Sequence, residues 1–316
     1  MTSTVANFAD FLRLLGPGME LFHYSACDLC ERYGEPYEAD AIFIFQKLAE
    51  FARLCGDDPQ AALASYGSWI EQAVAERSLG QALTAGNEKN RGLLEDAAFR
   101  RRYLYALTLS TVLNRSRYEL LRHFRRVAGE NLPREAKILE IGAGNCLDAA
   151  FASRYGQVSA YEMNDLSLVW HRLLDLAGRV DLRIEEYRFD QPQSFHFVAM
   201  VELLEHVADP AAYLRGASHV LTPDGLAYFT FAIRMPQFDH LTHFGSIQEC
   251  RDLLSEHGFA VRDEQCLVDT YLPFEEADRW RLGEDPRYAV VYSCLAHQDT
   301  RQGSAEALHD FNREIE

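Results

Sequence analysis

An apolar run that ends in two glycines one residue apart, Ile138-Leu139-Glu140-Ile141-Gly142-Ala143-Gly144-Asn145, constrains this chain more than any other feature. Glycine lacks a Cβ, so the backbone can turn through left-handed dihedrals while a ligand lies directly against it. The apolar residues before the turn suit a strand of a parallel sheet, buried on both faces. A helix is expected after the turn, over 146–154. Glu140 is the exception in the run, a carboxylate where packing would favour valine. A dinucleotide site would place a third glycine at 147, where this chain has leucine, and would aim the helix N-terminus at a pyrophosphate. An acid two residues before the first glycine repels phosphate and attracts an ammonium group.

Upstream of this turn no strand is expected. Apolar residues recur at helical spacing, as in Phe8, Phe11, Leu12 and Leu15 and in Ile42, Phe43, Phe45, Leu48 and Phe51. Turn residues at 16–18, 34–36, 56–59 and either 86 or 92 divide the region into five to seven helices, with Asp57-Asp58-Pro59 as a helix start. The last is read as one helix from about Asp96 to Phe124. It carries Tyr103, Arg115, Arg117 and Tyr118, which could roof a ligand pocket, with an arginine or a tyrosine near a carboxylate. Residues 129–134 read as a linker.

Strands and helices then alternate, the pattern of a doubly wound sheet. Strands are expected at 136–141, 158–163, 182–187, 195–202 and 225–233, and closing antiparallel strands at 261–270 and 288–296. Helices are expected from Asn164 or Asp165 to about 177, from Asp209-Pro210 to 221, and from Ser246 to 256. The division is a helical cap over 1–132, an α/β domain over 133–298 and a polar tail over 299–316.

The 316 residues are 48% hydrophobic and 25% charged, a composition that buries a large core. A net charge of −17 argues against a nucleic-acid backbone as the partner. No apolar run reaches the roughly 20 residues of a membrane span, and the first ten residues lack a basic signal-peptide start. A cytoplasmic protein with reduced cysteines is therefore expected. The seven cysteines include one suggestive pair, Cys27-x-x-Cys30, without a second pair to complete a zinc site.

The E-x-G-x-G at 140–144 resembles the first motif of class I S-adenosylmethionine (SAM) dependent methyltransferases, and four further segments match in order. Glu162 stands at the end of the second expected strand, where the family's acid accepts hydrogen bonds from a ribose diol. Met163 follows it, able to lie on an adenine face. Glu186 and Asp190 compete for the adenine amino group, with Glu186 favoured. The stretch Val201-Glu202-Leu203-Leu204-Glu205-His206-Val207-Ala208-Asp209-Pro210 resembles the strand-four segment of the ubiquinone-biosynthesis-like branch of small-molecule methyltransferases. His196 stands where that branch commonly has an aspartate. Finally, His240-Leu241-Thr242-His243-Phe244 resembles the branch's H-x-x-H-F segment. The resemblance spans about 137–261.

It implies a seven-stranded Rossmann-like sheet, SAM as cofactor, and methyl transfer to a small molecule, partly hydrophobic or amino-acid-like. Cofactor contacts are expected from Glu140, Gly142, Gly144, Asn145, Glu162, Met163, Glu186, Val201, Glu202 and Leu203. Tyr103, Arg117, Tyr118 and Glu205 are expected around the substrate. His206, His240 and His243 are candidate bases, because imidazole titrates near neutrality. No metal is expected, although Glu205 and the three histidines have the ligand chemistry for one. A homodimer through the cap is expected. Two other readings share these residues: a cap that encloses SAM fully and cyclises it with release of methylthioadenosine, and a module that binds SAM without turnover.

Overall fold

A computed structural model describes residues 5–78, 95–235, 237, 239–269 and 288–299. Among the described residues the first helices are α1 (Phe8–Leu14), α2 (Glu20–Tyr33), α3 (Glu35–Leu54) and α4 (Pro59–Ser78). The expected signal before α4 operates as a cap, with the Asp58 carboxylate accepting the Ala61 N–H at 2.8 Å. The turn expected at 86 or 92 lies outside the described residues, as does the tail beyond Asp299.

The single helix expected over 96–124 is instead two, α5 (Ala97–Leu113) and α6 (Arg115–Asn131). Asn114 ends one and begins the next, at φ −116° and ψ 128°. Its side-chain oxygen accepts from the Ser116 N–H at 2.9 Å, and its amide donates to the Asp269 carboxylate at 2.9 Å. The polar side chain caps α6 and at the same time pins the break to the sheet. Asn114→Ala removes both contacts, and a loss of about 1–2 kcal/mol in denaturant unfolding is expected, a typical cap contribution with the buried hydrogen bond added.

The remaining elements are β1 (Ala136–Ile141), α7 (Leu147–Ala152), β2 (Gly156–Glu162), α8 (Ser167–Leu173), β3 (Val180–Ile184) and β4 (Phe195–Met200). They are followed by a 3₁₀ turn (Leu204–His206), α9 (Pro210–Val220), β5 (Leu221–Ile233), α10 (Ile247–Glu256), β6 (Phe259–Val268) and β7 (Val290–Gln298). The seven strands run in the order β3-β2-β1-β4-β5-β7-β6. The β1 to β5 pairings are parallel, and β7 is antiparallel to both neighbours. The third strand begins two residues before its expected start and ends at Ile184, so Glu186 falls in the loop beyond it.

Alternation along the strands sorts the core into two faces. Ile138, Val158, Ala160, Phe197 and Ala199 face α6 and α7, packing with Phe124 and Val127. Leu139, Ile141, Val198 and Met200 face the other way, with Leu214 and Val220 of α9 and Leu254 of α10. A third core fills the cap and reaches into the α/β layer through Trp170 of α8, whose ring lies 5.3 Å from Phe51. The strand order places β1 and β4 side by side at the centre with crossovers leaving in opposite directions. Their carboxyl ends open the crevice where ligands bind in such sheets. Among the described residues no helix is long and apolar enough to cross a membrane.

Candidate active site

The crevice holds two cavities. The first, of about 560 Å³, lies over the glycine turn and is lined by Glu140, Gly142, Gly144, Asn145 and Asp148 below and by Leu107, Ser110 and Thr111 of α5 above. Gly142 and Gly144 have φ of +80° and +50°, and a Cβ on Gly144 would lie 2.5 Å from a Leu107 methyl. Cys146, at φ +59°, carries the same left-handed turn into α7 without a third glycine. Its fully buried thiol packs under the turn.

Two acids face this cavity without partners. Glu140 is 3% exposed, and its Oε2 accepts no hydrogen bond. Burial pushes its carboxyl well above the usual range, and the nearby Asp148 and Glu162 carboxylates push it further. Asp148, in the first turn of α7, also has an unpartnered Oδ1. Burial pushes its carboxyl up to about 6 against the pull of Arg125. Glu162 is engaged differently: one oxygen accepts the Gly144 N–H at 2.8 Å, the other those of Met163 and Asn164 at 2.9 Å each. It ties the turn to the end of β2, and a carboxylate with about four lone-pair sites retains capacity for one more donor. Met163 beside it is 55% exposed. These orphaned carboxylates and the glycine cradle fit a ligand with an ammonium group and a ribose.

The second cavity, of about 660 Å³, lies between the cap and the loops after β4 and β5. Tyr66, Trp69 and Tyr103 form its aromatic wall, and His206, Asp239, His240 and Asp269 its polar one. Leu107, Ser110, Arg117 and Glu202 line both cavities and so separate them. Arg117 and Glu202 form an ion pair within this partition. Glu202 sits at φ +52°, held there by its N–H donating to Thr230 Oγ1 at 2.6 Å.

The two histidine-bearing loops are joined by backbone: the Glu205 carbonyl accepts from the Leu241 and Thr242 N–H groups at 2.7 and 3.0 Å. This brings the His206 and His240 rings to 4.9 Å, perpendicular to each other. His206 Nδ1 lies 3.1 Å from the Asp239 carbonyl, which can only accept, so Nδ1 carries the proton and Nε2 is the basic nitrogen. Burial would lower its pKa, but the Asp239 and Glu205 carboxylates outweigh that and raise it. His240 is driven well down by burial and by the charges of His206 and Arg117. Glu205 is fully buried with both oxygens unpartnered, and burial together with Glu202 pushes it up to about 8. Ligand atoms of Glu205, His206 and His240 all lie within 4.8 Å of one another, close enough to hold a divalent cation.

Several expected residues stand elsewhere. Tyr118 is fully buried in the cap core, its hydroxyl donating to Asp40 at 3.1 Å, because its helical phase points it at Tyr33 and Tyr37 instead of the crevice. Glu186 is held by the Tyr213 hydroxyl at 3.1 Å and lines neither cavity. His243 is exposed and also lines neither. Leu203 acts through packing, 3.2 Å from where a Gly142 Cβ would be. Asp148, Trp69 and Asp239 were not expected at the site. Asp239 directly precedes the first histidine of its segment, and Asp148 is the one acid in the first turn of α7, so both carried a signal.

The strand order, the glycine turn and the acid that ends β2 match the arrangement of a class I SAM-dependent methyltransferase domain. Residues 113–264 match the family described as a methyltransferase domain. The chain is similar to the ubiquinone biosynthesis O-methyltransferase of Neisseria meningitidis serogroup C, 30% identical over 112 residues, 33% of this chain and 47% of that protein. The enzyme of the same name from Stutzerimonas stutzeri is 33% identical over 107 residues, 32% of this chain and 46% of that protein. The chain thus spans about half the length of these curated relatives. A solved SAM-dependent methyltransferase from Mesorhizobium loti aligns at 16% identity and a TM-score of 0.43, covering 58% of this chain and 98% of that one.

Proposed function

We propose that the chain transfers a methyl group from SAM to a hydroxyl of a small, partly aromatic acceptor held in the second cavity. The observation that carries this is the shared partition: a cavity with orphaned carboxylates and a cavity with a basic imidazole meet at Leu107, Ser110, Arg117 and Glu202. The curated relatives' name, an O-methyltransferase, supports oxygen as the acceptor atom.

When bound, the cofactor supplies an electrophilic methyl group on a positively charged sulfur. In this reading Glu140 holds the ammonium end, Glu162 the ribose hydroxyls, and Met163 covers the adenine, while the Gly142 and Gly144 backbone makes the close approach. Trp69, Tyr66 and Tyr103 clamp the acceptor ring, and the Arg117–Glu202 pair excludes water from the line of transfer. His206 Nε2 removes the acceptor proton, with Asp239 orienting the ring. The cap, residues 1–132, is then the acceptor-selecting part. Seven free cysteines support a reducing, cytoplasmic location. Exposed Leu21, Tyr24 and Phe43 on α2 and α3 support a dimer through the cap, for which light scattering after gel filtration is the check.

Incubation with SAM and a panel of phenols, catechols and amines, with product nucleosides identified by mass spectrometry, tests the reading. S-adenosylhomocysteine formed only with an acceptor is expected. Methylthioadenosine formed without any acceptor would establish the cyclising alternative, and binding without product from any acceptor the non-catalytic one.

A further inference from the structure

Glu140 alone would satisfy a single ammonium group, yet the first cavity holds a second acid that the expected contacts leave unused. Asp148 enters from the first turn of α7, on the opposite side of the glycine turn from β1. Both side chains line the same cavity, and each has one oxygen with neither solvent nor a hydrogen-bond partner. A carboxylate in such a place costs free energy unless something cationic meets it. Arg125 of α6 draws the Asp148 carboxyl down through its charge, but it lies outside the cavity lining, bonds Asp40 of α3 at 2.7 Å and makes no hydrogen bond to the orphaned Asp148 oxygen. The cation that does line the cavity, Arg117, is paired with Glu202.

We propose that Asp148 and Glu140 form a two-carboxylate seat for the ammonium group of the cofactor's amino-acid end, with Asp148 the residue that selects aminoacyl nucleosides over plain nucleoside thioethers. The proposal rests on the cofactor reading given above. An ammonium group has three N–H donors, enough to reach both acids from between them. Two carboxylates so placed cannot both ionise cheaply without a cation, which agrees with the upward displacement of both. The charged groups around them are Glu162 from β2, Arg125 from α6, and the Arg117–Glu202 pair between α6 and the loop after β4. Of these, only Arg125 acts on Asp148 as a cation, and it does so without a hydrogen bond to the orphaned oxygen.

The consequence is a proton count. Burial of the two carboxyls favours retention of a proton by the ligand-free pair, and arrival of the ammonium group favours its release. Affinity for SAM therefore rises with pH through about 6, where Asp148 loses its proton. A ligand without the amino-acid end leaves the proton in place.

Calorimetric titration of the full chain at pH 7, in buffers of different ionisation enthalpy, reads this count directly. SAM is expected to release roughly one proton and methylthioadenosine close to none. Asp148→Asn is expected to weaken SAM about 30-fold, as for one lost partner of a buried charge pair, and methylthioadenosine by less than about 3-fold. Equal weakening of both ligands, or SAM binding to the parent without proton release, overturns the seat while leaving the cofactor reading intact. If neither ligand binds the parent protein, the cofactor reading falls, and the seat with it.

Discussion

Gly144→Asp is expected to weaken SAM binding by more than about 100-fold while the protein still unfolds cooperatively. Two effects combine. At φ +50° any L side chain is strained, and its Cβ would meet Leu107 at 2.5 Å, in the wall between the cavities. The added carboxylate then enters a space that already holds Glu140 and Asp148, and an uncompensated buried charge costs about 3–5 kcal/mol. Thermal stability should fall by the backbone strain, about 1–3 kcal/mol, and by that part of the buried-charge cost which the new carboxyl does not escape by staying protonated. Calorimetry with SAM, beside a melting curve, separates the two effects. Binding equal to the parent's would mean that the glycine turn is not the cofactor cradle.

The second large effect concerns the base. His206→Asn is expected to lower kcat by about 10²- to 10⁴-fold, the usual contribution of a positioned proton acceptor. SAM affinity should stay nearly unchanged, because His206 lines only the second cavity. The pH profile carries the sign. His206 must be neutral to accept a proton, and the Asp239 and Glu205 carboxylates raise its pKa. Activity should therefore climb with pH through a midpoint above the ordinary imidazole value of about 6.5. Asp239→Asn removes one of those charges, so the midpoint should move to lower pH. A profile that ignores Asp239 would assign the proton to another group, with the His206–His240 pair then acting in cation binding.

How much of this was legible in the sequence differs by element. The sheet was readable because a parallel strand buried on both faces writes itself as an unbroken apolar run, and the glycine turn because glycine adopts its left-handed dihedrals without strain. The break at Asn114 was hidden by apolar spacing that continues across it, since α5 and α6 both pack inward. The asparagine followed two residues later by serine was the available cap signal. Tyr118 and Arg117 are neighbours on α6, yet one faces the cap core and the other the crevice, a difference of about 100° of helical phase that composition does not register. Glu186 was lost to an aromatic partner on α9, a pairing that depends on where β3 stops. The meeting of His206 and His240 depends on two backbone hydrogen bonds to the Glu205 carbonyl.

The family match begins at residue 113, one residue before the helix break. The second cavity is therefore assembled from both sides of that boundary: Tyr66, Trp69, Tyr103 and Leu107 lie ahead of the break, Arg117, Glu202, His206 and His240 behind it. Exchange of everything ahead of Asn114 would replace the aromatic wall of the second cavity and, through Leu107, Ser110 and Thr111, the roof of the first, while the glycine turn and His206 stay as they are. A single asparagine thus marks the seam between the part that roofs both cavities and the part that carries the glycine turn and the imidazoles.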